Sequence, residues 1–291
     1  MNYRWHWIPL VFVVAWLVVW PLSRASAVSF TEVPVSSGGQ NLSVVTVPTR
    51  PGVTQSFLLM RREDAWASVI LFTGGNGFLG ISPTGFVIEP SNFLVRSRDL
   101  FFARGLNVAV VDPPSDRTAA VGFLNGFRRS AEHAQDIQVV IQFLRENFGR
   151  PVWTVGTSDG TFSVAGTAAL LQGNGGPDGI VLTSSVVRLA LGYRVTLFDI
   201  DLAAIAVPAL VVHHVQDGCA VTPYADVLGL LAALVNVPRI RLVAEVGGGP
   251  PQGDPCQPWG FHGFPGIELR VVDQIVDFIK KRHHSDDGDG Q

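Results

Sequence analysis

The 291-residue sequence is poor in the features that most directly announce a partner or a cofactor. Charged residues are only 15% of it and its formal net charge is −3. It has no polybasic patch, so a nucleic-acid partner has no electrostatic footprint here. It has two cysteines, Cys219 and Cys256, and seven histidines. Cys-x-x-Cys and His-Glu-x-x-His spacings are both missing, which leaves a zinc cluster of His213, His214, Cys219, Cys256 and His262 without support. No internal repeat is visible. The N-terminal apolar run, Ile8 to Trp20, is about 13 residues long, short of the roughly 20 needed to span a bilayer.

That run has another reading. Arg4 supplies a positive n-region and Ala25-Ser26-Ala27 is a small-residue cleavage site, which together describe a secretory signal over residues 1–27, cleaved after Ala27. An uncleaved membrane anchor is the alternative. Cleavage removes Arg4 and Arg24, takes the net charge from −3 to −5, and leaves no stable membrane attachment. In an exported, periplasmic or secreted chain an oxidising compartment favours a Cys219–Cys256 bridge. The loop it closes is worth about 4 kcal/mol on the chain-entropy model. Two unpaired buried thiols are the alternative. Residues 283–291, with His283, His284 and a run of Asp and Gly, form a charged tail of the kind that stays disordered. One domain over residues 28–282 accommodates the rest.

Within that domain the patterning changes once. Val44 to Pro48 and Ser56 to Met60 are strand-like and joined by Pro51-Gly52, an antiparallel entry to a sheet. From Ala67 onward, apolar strands alternate with helices. The strands are Ser68–Thr73, Asn107–Val111, Val152–Val155, Gly179–Thr183, Ala209–His213 and Ile240–Val246. The helices are Asn92–Arg104, Ser130–Asn147, Thr161–Leu171, Thr222–Leu234 and Gly266–Lys281. This is the pattern of an α/β fold, a mostly parallel twisted sheet with helices on both faces. Ser184 to Pro208 is the longest connection, with room for a small lid and none for a large cap.

Gly156-Thr157-Ser158-Asp159-Gly160 sits between the Val152 strand and the Thr161 helix. A strand, a sharp glycine-flanked turn carrying serine, and a helix form a nucleophile elbow. In a chain with 31 glycines the motif alone is weak, and its context decides. A serine nucleophile needs a base and a group that orients the base. In such sheets these collect at the carboxyl ends of strands. Asp217 lies just past His213, and His262 lies in the Gly/Pro-rich loop between the last strand and the last helix. The order Ser158, Asp217, His262 is the order this architecture uses. The two cysteines flank the proposed acid and base, so a bridge between them would tie those loops together.

Other candidates read differently. Gly75 to Gly80 satisfies the dinucleotide pattern Gly-x-Gly-x-x-Gly. No acidic residue ends a second strand about 20 positions on, because Arg96 to Asp99 falls in a helix. Asp199 and Asp201 are alternative acids. Asp112 and Asp116 end a strand, in a loop-capping or pocket-lining role. His133 reads as structural. Phe78, Phe86, Trp259, Phe261 and Phe264 suggest an apolar pocket, although core packing would look the same.

From about Ala67 to Lys281 the chain resembles the α/β-hydrolases, on the elbow at Gly156 to Gly160, the Gly74-Gly75-Asn76-Gly77 turn, Asp217 and His262. The resemblance implies that the backbone N–H of Asp159, with that of Gly75 or Asn76, forms an oxyanion hole. Thr73 departs from the histidine that many members carry there, which leaves open which amide is used. The implied activity is a serine hydrolase acting on a small acyl substrate without metal or organic cofactor. A non-catalytic binding protein on the same fold and a peptidase with the same triad are the alternatives.

Overall fold

The computed structural model describes Met1 and residues 28–35, 41–117 and 126–281. Residues 2–27 of the expected signal segment and the expected tail from residue 283 lie outside the described residues. Within them no helix is long and apolar enough to cross a membrane.

The strands are β1 (Thr31–Pro34), β2 (Leu42–Arg50), β3 (Val53–Met60), β4 (Ala67–Phe72), β5 (Leu106–Val111), β6 (Val152–Thr157), β7 (Gly179–Thr183), β8 (Ala209–His214) and β9 (Ile240–Glu245). They form one sheet in the order β1-β2-β3-β5-β4-β6-β7-β8-β9. The first three strands pair antiparallel, as does β3 with β5. Every pair from β5 to β9 is parallel.

Alternation along the central strands builds two cores. Ile70 and Phe72 of β4 face one side; Val69 and Leu71 face the other. The first side is covered by α3 (Ala131–Phe148) through Ile137, Val140, Ile141 and Leu144, and by α4 (Gly160–Leu170). The other is covered by α6 (Glu268–Lys280), whose Val271, Val272, Ile275 and Ile279 are fully buried. Two short helices, α1 (Phe93–Arg96) and α2 (Arg98–Ala103), join α6 there, while α5 (Val227–Ala233) lies with the first group. Because both faces are covered, the strands read as continuous apolar runs, as expected.

The helix boundaries follow cap chemistry where it is strong. The Ser130 hydroxyl accepts the His133 N–H at the start of α3, and Gly149 ends it in the left-handed conformation. Two expected helices are altered. Asn92–Arg104 divides at Ser97, and Thr222–Leu234 begins only at Val227, after a 3₁₀ turn over Tyr224–Asp226. The Ser184–Pro208 connection contains two 3₁₀ turns and buries Leu197, Leu202 and Ile205 in the first core.

β4 has β5 on one side and β6 on the other, so the crossover from β4 to β5 and the next one, from β5 back to β6, run in opposite directions along the sheet. The crevice at such a switch point, at the carboxyl ends of the strands, is where an open α/β sheet places ligands.

Candidate active site

The elbow is tight because its glycines allow backbones to touch. A β-carbon on Gly160 would fall against the Phe72 carbonyl oxygen, and one on Gly156 against the Gly160 carbonyl and Val164. Ser158 itself is held at φ +53°, a left-handed conformation that a non-glycine residue adopts only where its surroundings enforce it. Its amide is anchored by the Thr183 carbonyl at 3.0 Å. The hydroxyl therefore leaves the sheet edge at the N-terminus of α4.

The fold brings His262 and Asp217, the proposed base and acid, together. His262 Nδ1 lies 3.0 Å from Asp217 Oδ2, and both residues are buried. Asp217 Oδ1 accepts the Cys219 N–H at 2.9 Å, and Oδ2 also accepts the Thr222 hydroxyl proton at 2.9 Å. Burial pushes the Asp217 carboxyl up, but His262, the Cys219 amide and His213 together outweigh it and hold it below the usual carboxylate range. An ionised carboxylate only accepts, so Nδ1 is the nitrogen that carries a proton toward Asp217. His262 Nε2 is buried and has no hydrogen-bond partner among the described residues. Ser158 Oγ is not bonded to it here; Ser158 and His262 line the same cavity, of about 220 Å³, with Gly74, Gly75, Asn76 and Phe93.

The loops that carry these groups are tied to one another. Cys219 and Cys256 are disulfide-bonded, which joins the acid loop to the base loop. The Ser184 hydroxyl donates to the His262 carbonyl at 2.7 Å, and Arg96 donates to the Gly263 carbonyl at 2.5 Å. On the other wall, Arg128 holds the glycine turn through the carbonyls of Thr73 (2.8 Å) and Gly75 (3.2 Å). Neither Thr222 nor Arg128 was identifiable from sequence, since each acts on a partner that only folding brings near.

The remaining candidates fall away from the centre. Asp199 is engaged at the Thr196 N–H, 2.7 Å away. Asp112 accepts the amides of Leu79 (2.7 Å), Gly80 (3.2 Å) and Ile81 (2.8 Å), a loop cap, and Asp116 pairs with Arg50. His133 packs between Phe72 and Phe127 inside α3. His214 stacks on Phe261 with ring centroids 4.3 Å apart. His213 Nε2 accepts the Ser185 N–H at 3.0 Å, and burial pulls its pKa down to about 4. Of the five aromatics expected around a pocket, Phe78 lines the cavity. Phe264 is core, Phe86 is exposed, and Trp259 lies under the Arg96 guanidinium.

Neither a protein-family model nor a curated protein sequence matches the chain. Solved structures do. One is the dienelactone hydrolase of Anabaena variabilis, at 14% identity and a TM-score of 0.57, covering 84% of this chain and 99% of that one. A cold-adapted esterase from an Arctic intertidal metagenomic library gives 16% identity and a TM-score of 0.55, over 86% and 98% of the two chains. A serine hydrolase without lid from Xanthomonas campestris gives 16% and 0.52, over 86% and 94%. The protein has the α/β-hydrolase fold.

Proposed function

We propose that this protein is an exported serine hydrolase that cleaves a carboxylic ester or related acyl bond. The observation that carries the reading is the His262 imidazole. One nitrogen is bound to a buried carboxylate; the other is buried without a partner among the described residues, in a cavity shared with a serine on a strained elbow. In apo sites the serine–base hydrogen bond is often open and closes with substrate.

In this mechanism Ser158 Oγ attacks the acyl carbon while its proton passes to His262 Nε2, and Asp217 stabilises the imidazolium. The developing oxyanion lies at the N-terminus of α4, toward the N–H of Asp159 and that of Gly75 or Asn76. His262 returns its proton to the leaving oxygen as the acyl–oxygen bond breaks. Water then attacks the acyl-enzyme with His262 as base, releasing the acid and restoring Ser158. A cavity of about 220 Å³ is below the roughly 300–1,000 Å³ of drug-sized ligand sites, which favours a short acyl group. Export rests on the residue 1–27 signal, followed by a domain at 28–282 and a tail, and is supported by a disulfide that persists in an oxidising compartment.

The test is Ser158→Ala together with fluorophosphonate labelling. The wild type should label on Ser158 and the variant should not. Turnover of a short-chain p-nitrophenyl ester should fall on the order of 10⁶-fold, as when a triad acting as a unit loses its nucleophile. Unlabelled wild type, or a variant keeping a large share of turnover, would overturn the assignment in favour of a binding protein.

A further inference from the structure

We propose that the cavity on the far side of the glycine turn is a carboxylate subsite, so that the ester cleaved carries a negative charge on one arm. Only the identity of the bond being cut rests on the serine-hydrolase reading. This cavity, of about 510 Å³, is lined by Arg128, Arg129, Tyr193, Arg194, Asp159 and Phe162, among others. It meets the Ser158 cavity at Gly75, which lines both. Asp159 on its wall directly follows the nucleophile in the chain.

The three arginines are differently employed. Arg128 is fully used: besides the two carbonyls of the glycine turn it donates to Ser163 Oγ at 2.9 Å, and its charge is set against the Asp159 carboxylate. Asp159 in turn accepts the Tyr193 hydroxyl at 2.8 Å. Arg129 is spare. Among the described residues its Nε is buried with no hydrogen-bond partner, and its Nη1 reaches only the Asp199 backbone oxygen, at 3.4 Å. Arg194 is exposed, and no carboxylate among the described residues pairs with it or with Arg129. Residues 118–125, which precede this region, contain neither Asp nor Glu.

Three guanidinium groups therefore face one carboxylate, and that carboxylate already has its partners. Leaving a buried guanidinium N–H unpaired costs the desolvation of that group, which a ligand oxygen restores. A carboxylate matches the planar fork of arginine with two parallel hydrogen bonds. The position is built in rather than incidental. A β-carbon on Gly166 of α4 would stand 2.9 Å from Arg129 Cα and 3.1 Å from the Arg128 carbonyl, so glycine there lets the pair sit against the helix. Phe162, Leu191 and Val195 supply an apolar lining for the methylenes that lead to the charge.

The test compares kcat/KM for a p-nitrophenyl monoester of a dicarboxylic acid with that for a neutral ester of the same chain length. A parallel pair places the carboxylate on the alcohol side. In the wild type one of the two charged esters should be preferred over its neutral partner. Arg129→Gln and Arg194→Gln should each lower that preference about tenfold, the scale of one charge-assisted contact. General damage to the fold lowers both rates and leaves the ratio, so the ratio isolates the subsite. Glutarate binding to Ser158→Ala protein, followed by calorimetry, removes catalysis from the question. It should be measurable and about tenfold weaker once Arg129→Gln is added. Glutarate binding without ester turnover would retain the subsite and discard the hydrolase reading. Esters cut with no charge preference, or a preference and glutarate affinity unmoved by either arginine variant, would overturn the subsite.

Discussion

Thr222→Val tests whether the acid–base pair is held by more than its own hydrogen bond. The Thr222 hydroxyl is buried, 2.9 Å from Asp217 Oδ2 and 3.1 Å from His262 Nδ1. It has one proton, which goes to the carboxylate, and its lone pair faces the Nδ1–H, so it closes a three-membered arrangement with the pair. Valine keeps the shape and removes the donor. A hydrogen bond to a charged group contributes about 1.5–3 kcal/mol. Asp217 keeps the His262 Nδ1–H and the Cys219 N–H, so the loss should fall at the lower end of that range.

At about 1.4 kcal/mol per decade, this predicts a kcat roughly tenfold lower on a short-chain p-nitrophenyl ester. KM should change little, because Thr222 does not line the cavity beside Ser158. Chemical denaturation should show a destabilisation of similar size. Thr222→Ser, which restores the donor, should recover most of the rate; a purely packing role would not be rescued by so small a side chain. A Thr222→Val enzyme with kcat within about twofold of wild type would refute the reasoning and leave Thr222 a bystander.

Two further predictions concern the same corner. Reducing Cys219–Cys256, whose cysteines are 37 residues apart, should lower stability by about 4 kcal/mol on the chain-entropy model. Activity should fall at temperatures where the reduced protein is still folded by circular dichroism; full activity there would make the bridge a stability device only. His213 has a folded pKa near 4 against about 6.5 unfolded, so the unfolded chain takes up a proton that the fold refuses. Its contribution to stability is intact above pH about 6.5 and is lost as pH falls toward 4, by roughly 3 kcal/mol in all. Urea unfolding at pH 7 and pH 4 should therefore show a shallower acid loss in His213→Gln than in wild type, and identical pH dependence would contradict the burial argument.

The parts of the structure that local chemistry dictates were legible in the sequence. Continuous apolar strands announced a sheet covered on both sides, and Ser130 with Gly149 bounded α3. Elements ruled by tertiary contact were not. β1 is short and exposed, ends in Pro34, and has no apolar alternation to mark it; it exists because it pairs with β2. The helix expected from Thr222 starts five residues later because Thr222 turns its hydroxyl to Asp217 and Pro223 keeps an extended backbone. Ser158, Asp217 and His262 could be proposed because their residue types and chain order fit one architecture together. Arg128 could not, since the carbonyls it holds are more than 50 residues away. The aromatics stayed undecided between pocket and core for a related reason: ring count near a loop says nothing about which rings face inward, and Phe78 lines the cavity while Phe264 is core.

The same contacts explain how a site on loops is kept ordered without a large cap. Each loop fixed in one conformation loses entropy, and the proposed nucleophile, base and acid would have to be set to within a fraction of an ångström. Here no loop bears that cost alone. The acid loop is bonded to the base loop through Cys219–Cys256, and the base loop to the end of β7 through Ser184. The base loop is also bonded to α1 through Arg96, and the glycine turn to the start of α3 and to α4 through Arg128. The longest connection, Ser184–Pro208, contributes Leu197, Leu202 and Ile205 to the core. A segment anchored by three buried side chains cannot open without exposing them, at about 1.5–3 kcal/mol apiece. Its place in the fold is therefore a wall beside the arginine-lined cavity, carrying Tyr193 and Arg194, and on the proposed reading the charges on that wall are what select the substrate.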